Sequence, residues 1–358
     1  MRNFYQIVNK IGLGLALILA ASAILLFSDL KSRQTSAPVP NPTVGQGARP
    51  GKLFRLRLVE YVETPNVEEN RLGIRDGLKE AGLVEGRDYT LQVHNAQGDM
   101  TALNSMVDAV ADRDCDLLLV STTPALQVAI RKVKHIPVVF SLVANPLMAG
   151  AGRTPEDHIE NITGTYVIAP HEEILPLLRQ CVPGLQRIGT LFTPSEVNSV
   201  YYKELYVAAA EKAGLGLDLI GVSSPQEVPD AAIALCQRRI DALCQLSDNL
   251  SGAGFASIAQ AALRAGVPVF SFATGHARMG AVLALARDFY DGGRESALLA
   301  NRVMRGARPA ALPFQKVGKV RLTVNLDAAR QFGLEVPEAI RKRAGRIIDQ
   351  GKTMVLSP

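Results

Sequence analysis

Two stretches of the sequence end an apolar run with polar side chains that could bind a small charged molecule. Residues 240–246 lead into Ser-Asp-Asn at 247–249, and residues 116–120 lead into Ser-Thr-Thr at 121–123. Hydroxyl and backbone N–H groups at the start of a helix can bind an anionic group. The carboxylate of Asp248 can bind an amine through a charge-assisted hydrogen bond.

Both stretches have the pattern expected at the ends of parallel strands. In each case a helical pattern follows the polar residues, and a short β-branched strand comes next, at residues 136–141 and 267–271. An open α/β sheet binds its ligand at the carboxyl ends of its strands. The sequence therefore predicts a duplicated βαβ unit whose two ligand-binding edges could face each other across a cleft.

The order of the remaining elements predicts an α/β protein with two lobes. Strands alternate with helices of about 10 to 15 residues, the pattern of a doubly wound parallel sheet. We predict two such lobes joined by a multi-strand hinge. The first comprises residues 53–166 and 289–318, and the second comprises residues 167–288 and 319–350.

The C-terminal part of the sequence is less regular. Residues 312–325 are too long and polar for a core strand, and we predict that the chain crosses between the lobes at residues 288–291 and 317–320. Apolar residues at helical spacing predict a helix over residues 337–348, with its basic side chains on a solvated face.

Residues 1–52 differ from the rest of the chain in composition. Residues 11–27 carry no charge over 17 positions, which is at the short end of what crosses a bilayer as a helix. We predict a signal anchor at residues 1–28, a flexible linker at residues 29–52 rich in proline and glycine, and a periplasmic body anchored in the inner membrane. Cleavage after Ala-Ser-Ala at residues 21–23, which would release a secreted protein, stays open.

The charge distribution argues against nucleic acid as a partner. The net charge is +5, but residues 1–52 carry six basic side chains and one acidic side chain, which accounts for the whole excess. The rest of the chain is neutral, so it has no basic footprint of the kind that binds nucleic acid.

The sequence lacks the motifs of common catalytic, cofactor and metal sites. It contains no G-x-S-x-G nucleophile motif and no Walker A motif, and its five histidines are scattered. We therefore expect that the protein is not an enzyme and that it binds no cofactor and no metal. The four cysteines lie in or beside apolar segments and indicate free thiols, although Cys236 and Cys244 are close enough in sequence to pair.

Several short motifs occur in an order and spacing typical of one family. They are residues 77–86, Gln97-Gly98-Asp99, residues 121–125, residues 136–140, Asn161-Ile162-Thr163-Gly164, residues 247–249, Asp288-Phe289-Tyr290 and residues 324–329. This chain resembles the ABC-transporter substrate-binding family with the type I periplasmic binding protein fold, which includes tryptophan/tyrosine-type binding proteins. One departure is Asn145, where the family usually has aspartate.

The resemblance implies a function as the solute-binding component of an ABC importer. A permease and an ATPase would be its protein partners, and its ligand would be an aromatic or branched-chain amino acid or a related amine. The lobes would close on this ligand by a hinge motion. The alternative is a membrane-tethered ectodomain that senses the ligand and signals to a partner without transport.

The predicted ligand-binding residues come from strand ends and the loops after them. They are Tyr61, Ser121, Thr122, Thr123, Phe140, Asn145, Thr163, Ser195, Asp248, Asn249 and Ser271, with Asn198 as a further candidate. Thr122 and Thr123 would bind a carboxylate and Asp248 an ammonium group, while Tyr61 and Phe140 could stack on an apolar part of the ligand. A helix cap without any ligand explains the hydroxyls equally well. For Asp248 we favour ligand contact, because two independent strand ends carry the pattern.

Overall fold

The computed structural model describes residues 52–111 and 115–356, and the strands in these residues form two sheets. The predicted membrane helix at residues 1–28 lies outside the described residues, as does the predicted linker up to residue 51. Within residues 52–111 and 115–356, no helix combines the length and the apolar character needed to cross a bilayer.

Strands and helices alternate along the described chain. The strands are β1 (Phe54–Glu60), β2 (Tyr89–Asn95), β3 (Leu117–Ser121), β4 (Val138–Val143), β5 (Ile162–Tyr166), β6 (Arg187–Phe192), β7 (Gly216–Gly221), β8 (Ala242–Gln245), β9 (Val269–Ser271), β10 (Leu283–Arg287), β11 (Gln315–Lys316), β12 (Val320–Asn325), β13 (Arg346–Asp349) and β14 (Lys352–Val355). The α-helices are α1 (Pro65–Glu80), α2 (Met100–Ala111), α3 (Thr123–Lys132), α4 (His171–Cys181), α5 (Val197–Lys212), α6 (Val228–Cys236), α7 (Asn249–Ala253), α8 (Phe255–Ala265), α9 (Phe289–Met304), α10 (Leu326–Gln331) and α11 (Glu338–Arg343). Short 3₁₀ helices cover Pro225–Glu227, Thr274–Met279 and Pro309–Ala311.

The first sheet has the strand order β11-β5-β4-β3-β1-β2, and its paired strands are parallel. In β3, Leu117 and Leu119 pack into one apolar cluster with α1 and α9, while Leu118 and Val120 pack into a second cluster with α2 and α3. Because successive side chains of a strand face opposite sides of the sheet, helices on both faces explain the unbroken apolar run. We call this sheet and its four helices lobe 1.

The second sheet has the order β14-β13-β12-β10-β9-β8-β6-β7. The strands β10 and β12 are antiparallel, as are β13 and β14, and the other pairs are parallel. The prediction of α/β lobes is confirmed, but the second sheet is mixed and not wholly parallel. We call this sheet and the remaining helices lobe 2; the residue boundaries predicted for the lobes stay predictions.

The predicted crossing at residues 317–320 agrees with the structure, since β11 belongs to the first sheet and β12 to the second. Two other expectations for the C-terminal part are wrong. Residues 320–325 form β12 inside the second sheet, and the last four of them are buried. The strand was missed because the residues just before it are polar, and these residues form the connection between the two sheets. The predicted helix over residues 337–348 ends at Arg343, and Ile347 and Ile348 lie in β13.

Helices α1 and α9 approach each other unusually closely through glycines. A Cβ atom on Gly73 would lie 1.9 Å from the carbonyl oxygen of Tyr290, and one on Gly293 would lie 2.1 Å from the carbonyl oxygen of Asn70. No side chain fits in such a space. The close packing fixes α1 within lobe 1 and thereby positions the first turn of α1, which follows Thr64.

We predict that Gly73→Ala lowers the free energy of unfolding by about 3 kcal/mol, because the added methyl group overlaps a backbone carbonyl of α9. Gly318→Ala is the control, since a Cβ there meets nothing within 4 Å. Its effect should stay within about 0.5 kcal/mol. Urea unfolding of both variants measures the difference, and equal effects would contradict the assigned role of Gly73.

Candidate ligand-binding site

A cavity lies between the two lobes, where the carboxyl ends of their strands face each other. It is lined by Thr64, Asn66, Thr122, Thr123, Leu142, Ala144 and Val167, and by Asn198, Tyr202, Ser247, Asp248 and Asn249. Its volume is about 30 Å³, enough for about one or two water molecules. A larger molecule therefore enters only when the lobes move apart.

The wall from lobe 1 contains the N-termini of α1 and α3. Thr64 caps α1, and its Oγ1 accepts a hydrogen bond from the N–H of Val67 at 3.3 Å. Thr122 precedes α3 with φ 84° and ψ 158°, a backbone conformation that is almost confined to glycine and strained for a β-branched residue. Helix N-termini attract negative charge, so this wall suits an anionic group.

Two polar atoms of the lobe 1 wall are buried without a partner. In the described part of the chain, neither Thr122 Oγ1 nor Asn66 Oδ1 has a hydrogen-bond partner. Leaving a buried polar atom unpaired costs about 1 to 3 kcal/mol. Both residues line the cavity, which makes them available to a ligand.

Behind the lobe 2 wall, just before α5, lies the buried carboxylate of Glu196, which bonds the cavity-lining residues Asn198 and Asn249. Its Oε2 accepts hydrogen bonds from Asn198 Nδ2 at 3.1 Å and from Asn249 Nδ2 at 2.6 Å. Among residues 52–111 and 115–356, Glu196 Oε1 and Asn198 Oδ1 have no hydrogen-bond partner. Burial, with a further contribution from the charge of Asp248, raises the pKa of Glu196 to about 8.

Asp248 lines the cavity, but its carboxylate is already satisfied within lobe 2. Its Oδ1 accepts from Ser251 N–H at 2.7 Å, Ser251 Oγ at 2.6 Å and Thr193 Oγ1 at 3.1 Å, and its Oδ2 accepts from Thr193 N–H at 3.1 Å. The residue therefore caps α7. It also places negative charge beside Glu196.

The structure brings some of the predicted site residues together. Thr122, Thr123, Asp248 and Asn249 line the cavity. Tyr61 is buried beside the lobe 2 wall: burial, together with the nearby charges of Glu196 and Asp248, raises the pKa of its hydroxyl to about 12.

Three predicted residues face the interior of lobe 1 and do not line the cavity. Ser121 Oγ lies 3.5 Å from a buried asparagine, Phe140 packs edge-on against Phe314 with ring centroids 4.9 Å apart, and Thr163 Oγ1 donates to the carbonyl oxygen of Leu312 at 2.7 Å. These residues lie within strands, where alternate side chains turn away from the cavity.

The other three predicted residues also lie outside the cavity wall. Asn145 Oδ1 accepts from the N–H of Leu147 at 3.0 Å and closes a turn. Ser195 is exposed. Ser271 Oγ bonds His276 Nδ1 at 2.7 Å inside lobe 2.

Sequence reasoning missed Glu196, Thr64 and Asn66. Glu196 follows the end of β6 much as Asp248 follows the end of β8. This similarity could have identified Glu196 from the sequence, but we predicted Ser195, one position earlier. A threonine followed by proline at 64 and 65 signals a helix start, and this was the available signal for the first turn of α1, which contains Asn66.

Comparison with known proteins identifies the family. Residues 56–348 match the family described as ABC transporter substrate binding protein. The chain belongs to this family. Its members bind a small molecule outside the cytoplasm and work with the permease and ATPase subunits of an ABC transporter, so the resemblance inferred from the motifs is confirmed.

Several relatives of this substrate-binding protein are characterised or solved. It is 25% identical over 284 residues to the tyrosine-binding protein of Clostridioides difficile, covering 79% of this chain and 82% of that one. It is 26% identical to the ABC domain from Streptococcus pneumoniae in complex with L-Trp, with a TM-score of 0.79 and coverage of 83% of this chain and 100% of that one. A ligand-free, open substrate-binding protein from Clostridium difficile gives 25% identity, a TM-score of 0.63 and coverage of 82% and 98%.

The raised pKa of Glu196 predicts a pH dependence of the stability of the ligand-free substrate-binding protein. The pKa is about 8 in the folded protein against a usual 4.5, so the folded state holds a proton that the unfolded chain releases. Its stabilising effect is fully present below about pH 4.5 and is lost as the pH rises through about 8. Glu196→Gln should flatten this decline, as measured by urea unfolding at about pH 5, 6, 7 and 8.

Two other glutamates, Glu60 and Glu211, serve as comparisons for the pH dependence of stability. Glu60, whose pKa burial raises to about 7, acts with the same sign, so Glu196→Gln should reduce the decline without abolishing it. The exposed Glu211→Gln should leave the decline unchanged. An identical pH profile for wild type and Glu196→Gln would rule out a buried, proton-binding Glu196.

Proposed function

We propose that this protein is the extracytoplasmic binding component of an ABC importer for an amino acid, held between the lobes as a zwitterion. The observation that carries this proposal is the opposite character of the two cavity walls. The lobe 2 wall is acidic, and the lobe 1 wall presents two helix N-termini. An ammonium group and a carboxylate on one small molecule match these walls.

The ammonium group would bind at the lobe 2 wall. An ammonium carries three hydrogen-bond donors, and two buried acceptor atoms of lobe 2 near the cavity are without partners in the described residues: Glu196 Oε1 and Asn198 Oδ1. The charge of Asp248 would attract the ammonium group without a direct hydrogen bond to it. A bound cation would favour the ionised form of Glu196, so uptake of the ligand at neutral pH would release a proton.

The carboxylate would bind at the lobe 1 wall, next to Thr122, Thr123 and the first turn of α1. Micromolar affinity corresponds to about −8 kcal/mol, and a helix terminus contributes at most about 2 kcal/mol. Charge-assisted hydrogen bonds of about 1.5 to 3 kcal/mol each and an apolar part of the ligand must supply the rest. Leu142, Ala144, Val167 and Tyr202 are the apolar part of the lining.

An aromatic amino acid is the first candidate ligand. The support is the description of two relatives as a tyrosine-binding protein and as a complex with L-Trp. The narrow cavity and the higher TM-score to the L-Trp complex than to the open relative, 0.79 against 0.63, fit lobes that are closed without a ligand. Around an aromatic amino acid the lobes would stand further apart than they do here, because the cavity holds only about 30 Å³. A ligand favours closure only through better affinity for the closed form. The predicted helix at residues 1–28 would tether the protein to the membrane.

A thermal-shift panel on the full chain tests the ligand class. We expect an aromatic amino acid to raise the melting temperature, because binding to the folded state alone stabilises it by mass action. Purines and sugars are the comparison classes. If one of these raised the melting temperature and no amino acid did, the proposal would be wrong.

Variants of the buried carboxylates test the assigned role of Glu196. Glu196→Gln should weaken binding of the amino acid about 10-fold to 100-fold in calorimetric titration, because it removes a charge-assisted hydrogen bond. The matched control is Glu60→Gln, which neutralises another buried carboxylate whose hydrogen-bond partners, Arg71 and Asn95, do not line the cavity. Equal losses of affinity in the two variants would show that Glu196 has no special role.

A further inference from the structure

A second set of contacts joins the lobes outside the ligand cavity. Glu69 lies on α1, three residues after the cavity residue Asn66. Its Oε2 accepts a hydrogen bond from Thr274 Oγ1 at 3.1 Å, and its Oε1 accepts from Arg346 Nη1 at 3.0 Å. Both donors belong to lobe 2, so one carboxylate holds two separate elements of the opposite lobe.

The surroundings of this ion pair shield it from water. The Glu69 and Arg346 side chains are 20% and 27% exposed, and Thr274 is buried. The adjacent Gly275 packs so tightly on lobe 1 that a Cβ there would lie 2.3 Å from Cβ of Pro65. A partly buried pair is screened less by salt than an exposed one, so this contact should be stronger than an ordinary surface pair.

These contacts depend on the position of the lobes. Helix α1 is fixed to lobe 1 by its glycine packing on α9. In contrast, Thr274 lies in a 3₁₀ helix of lobe 2 and Arg346 lies in β13 of the second sheet. Pro65, which touches Gly275, stands between the cavity residues Thr64 and Asn66. Moving this wall away from lobe 2 to admit a ligand therefore also separates the contacts made by Pro65 and Glu69.

We propose that Glu69, Arg346 and Thr274 form an interlobe clasp that sets ligand affinity from outside the cavity. The clasp is complete only when the lobes are closed, so it adds to the stability of the closed form alone. The apparent affinity for a ligand rises with the fraction of protein in the binding-competent form. Glu69 is thus a positioning residue that acts through closure, and the proposal rests on the proposed function in taking the ligand to bind between the lobes.

The same interface offers matched controls. A groove of about 420 Å³ borders the clasp, and Glu68 on α1 and Arg278 in lobe 2 line it together with Glu69 and Arg346. In the described ranges, Glu68 and Arg278 form no ion pair across the interface. Neutralising these two residues changes the charge of the groove as much as neutralising the clasp does, but breaks no interlobe contact.

The affinity test compares these variants in the full chain, with L-tryptophan and L-tyrosine as probes in calorimetric titration. Glu69→Gln and Arg346→Gln should each raise Kd about threefold to tenfold. The double variant should bind about as tightly as Glu69→Gln alone, because both substitutions remove the same ion pair. Glu68→Gln and Arg278→Gln should leave Kd nearly unchanged. Equal effects of Glu69→Gln and Glu68→Gln would overturn the clasp.

Hydrogen exchange of the ligand-free full chain tests the clasp without any ligand. Glu69→Gln should speed exchange in residues 65–72 and 274–279, which face each other across the interface, and leave β1 and α9 unchanged. Faster exchange throughout lobe 1 would assign Glu69 to folding and overturn the proposal, and so would no change at all. If neither amino acid bound the wild type, the proposed ligand would be wrong, while this measurement would still decide on the clasp.

Discussion

The buried carboxylate of Glu196 is the constraint around which the interlobe site is built. Taking a carboxylate out of water is costly unless it is hydrogen-bonded and its charge is compensated. Here two asparagines donate to one oxygen, the other oxygen is unpaired in the described structure, and burial together with the charge of Asp248 raises the pKa of Glu196 to about 8, so that it holds a proton at neutral pH. This arrangement reduces stability, and a cationic group between the lobes would relieve it.

The lobe 1 wall contains a strained backbone at Thr122. Thr122 holds a backbone conformation that suits glycine, and its carbonyl and N–H are fixed by bonds to Leu126 and Ser141. The first turn of α1 is held by the packing of α1 on α9 through Gly73 and Gly293. Two rigid helix starts therefore face the acidic wall, and preorganised donors of this kind bind without further ordering cost.

Much of the fold could be predicted from the sequence, because apolar strands and amphipathic helices alternate with regular spacing. The expectation of polar strand ends at a shared edge also held for Thr122, Thr123, Asp248 and Asn249, which line the cavity. The mixed second sheet could not be predicted in this way. Its antiparallel strand β12 follows a polar connection, so the sequence does not mark it as a core strand. Pairing direction depends on contacts that are distant in sequence.

The site was harder to predict than the fold, since a shift of one residue changes the side of a strand or loop that a side chain faces. Ser195 is exposed while the next residue, Glu196, is buried. Phe140 and Thr163 have suitable side chains, yet both lie within strands and are buried in lobe 1. Likewise, Asp248 was expected to contact a ligand, and its role as the cap of α7 depends on Thr193 and Ser251 in the folded lobe.

The central claim is that the two walls recognise the two charges of one zwitterion. Calorimetric titration of the full chain with L-tryptophan, tryptamine and 3-indolepropionate tests it most directly, because the last two each lack one charged group and keep the ring. We predict that L-tryptophan binds and that both analogues bind at least about 100-fold more weakly, since each leaves one wall of buried polar groups unpaired. Binding of either analogue as tight as that of L-tryptophan would contradict the account.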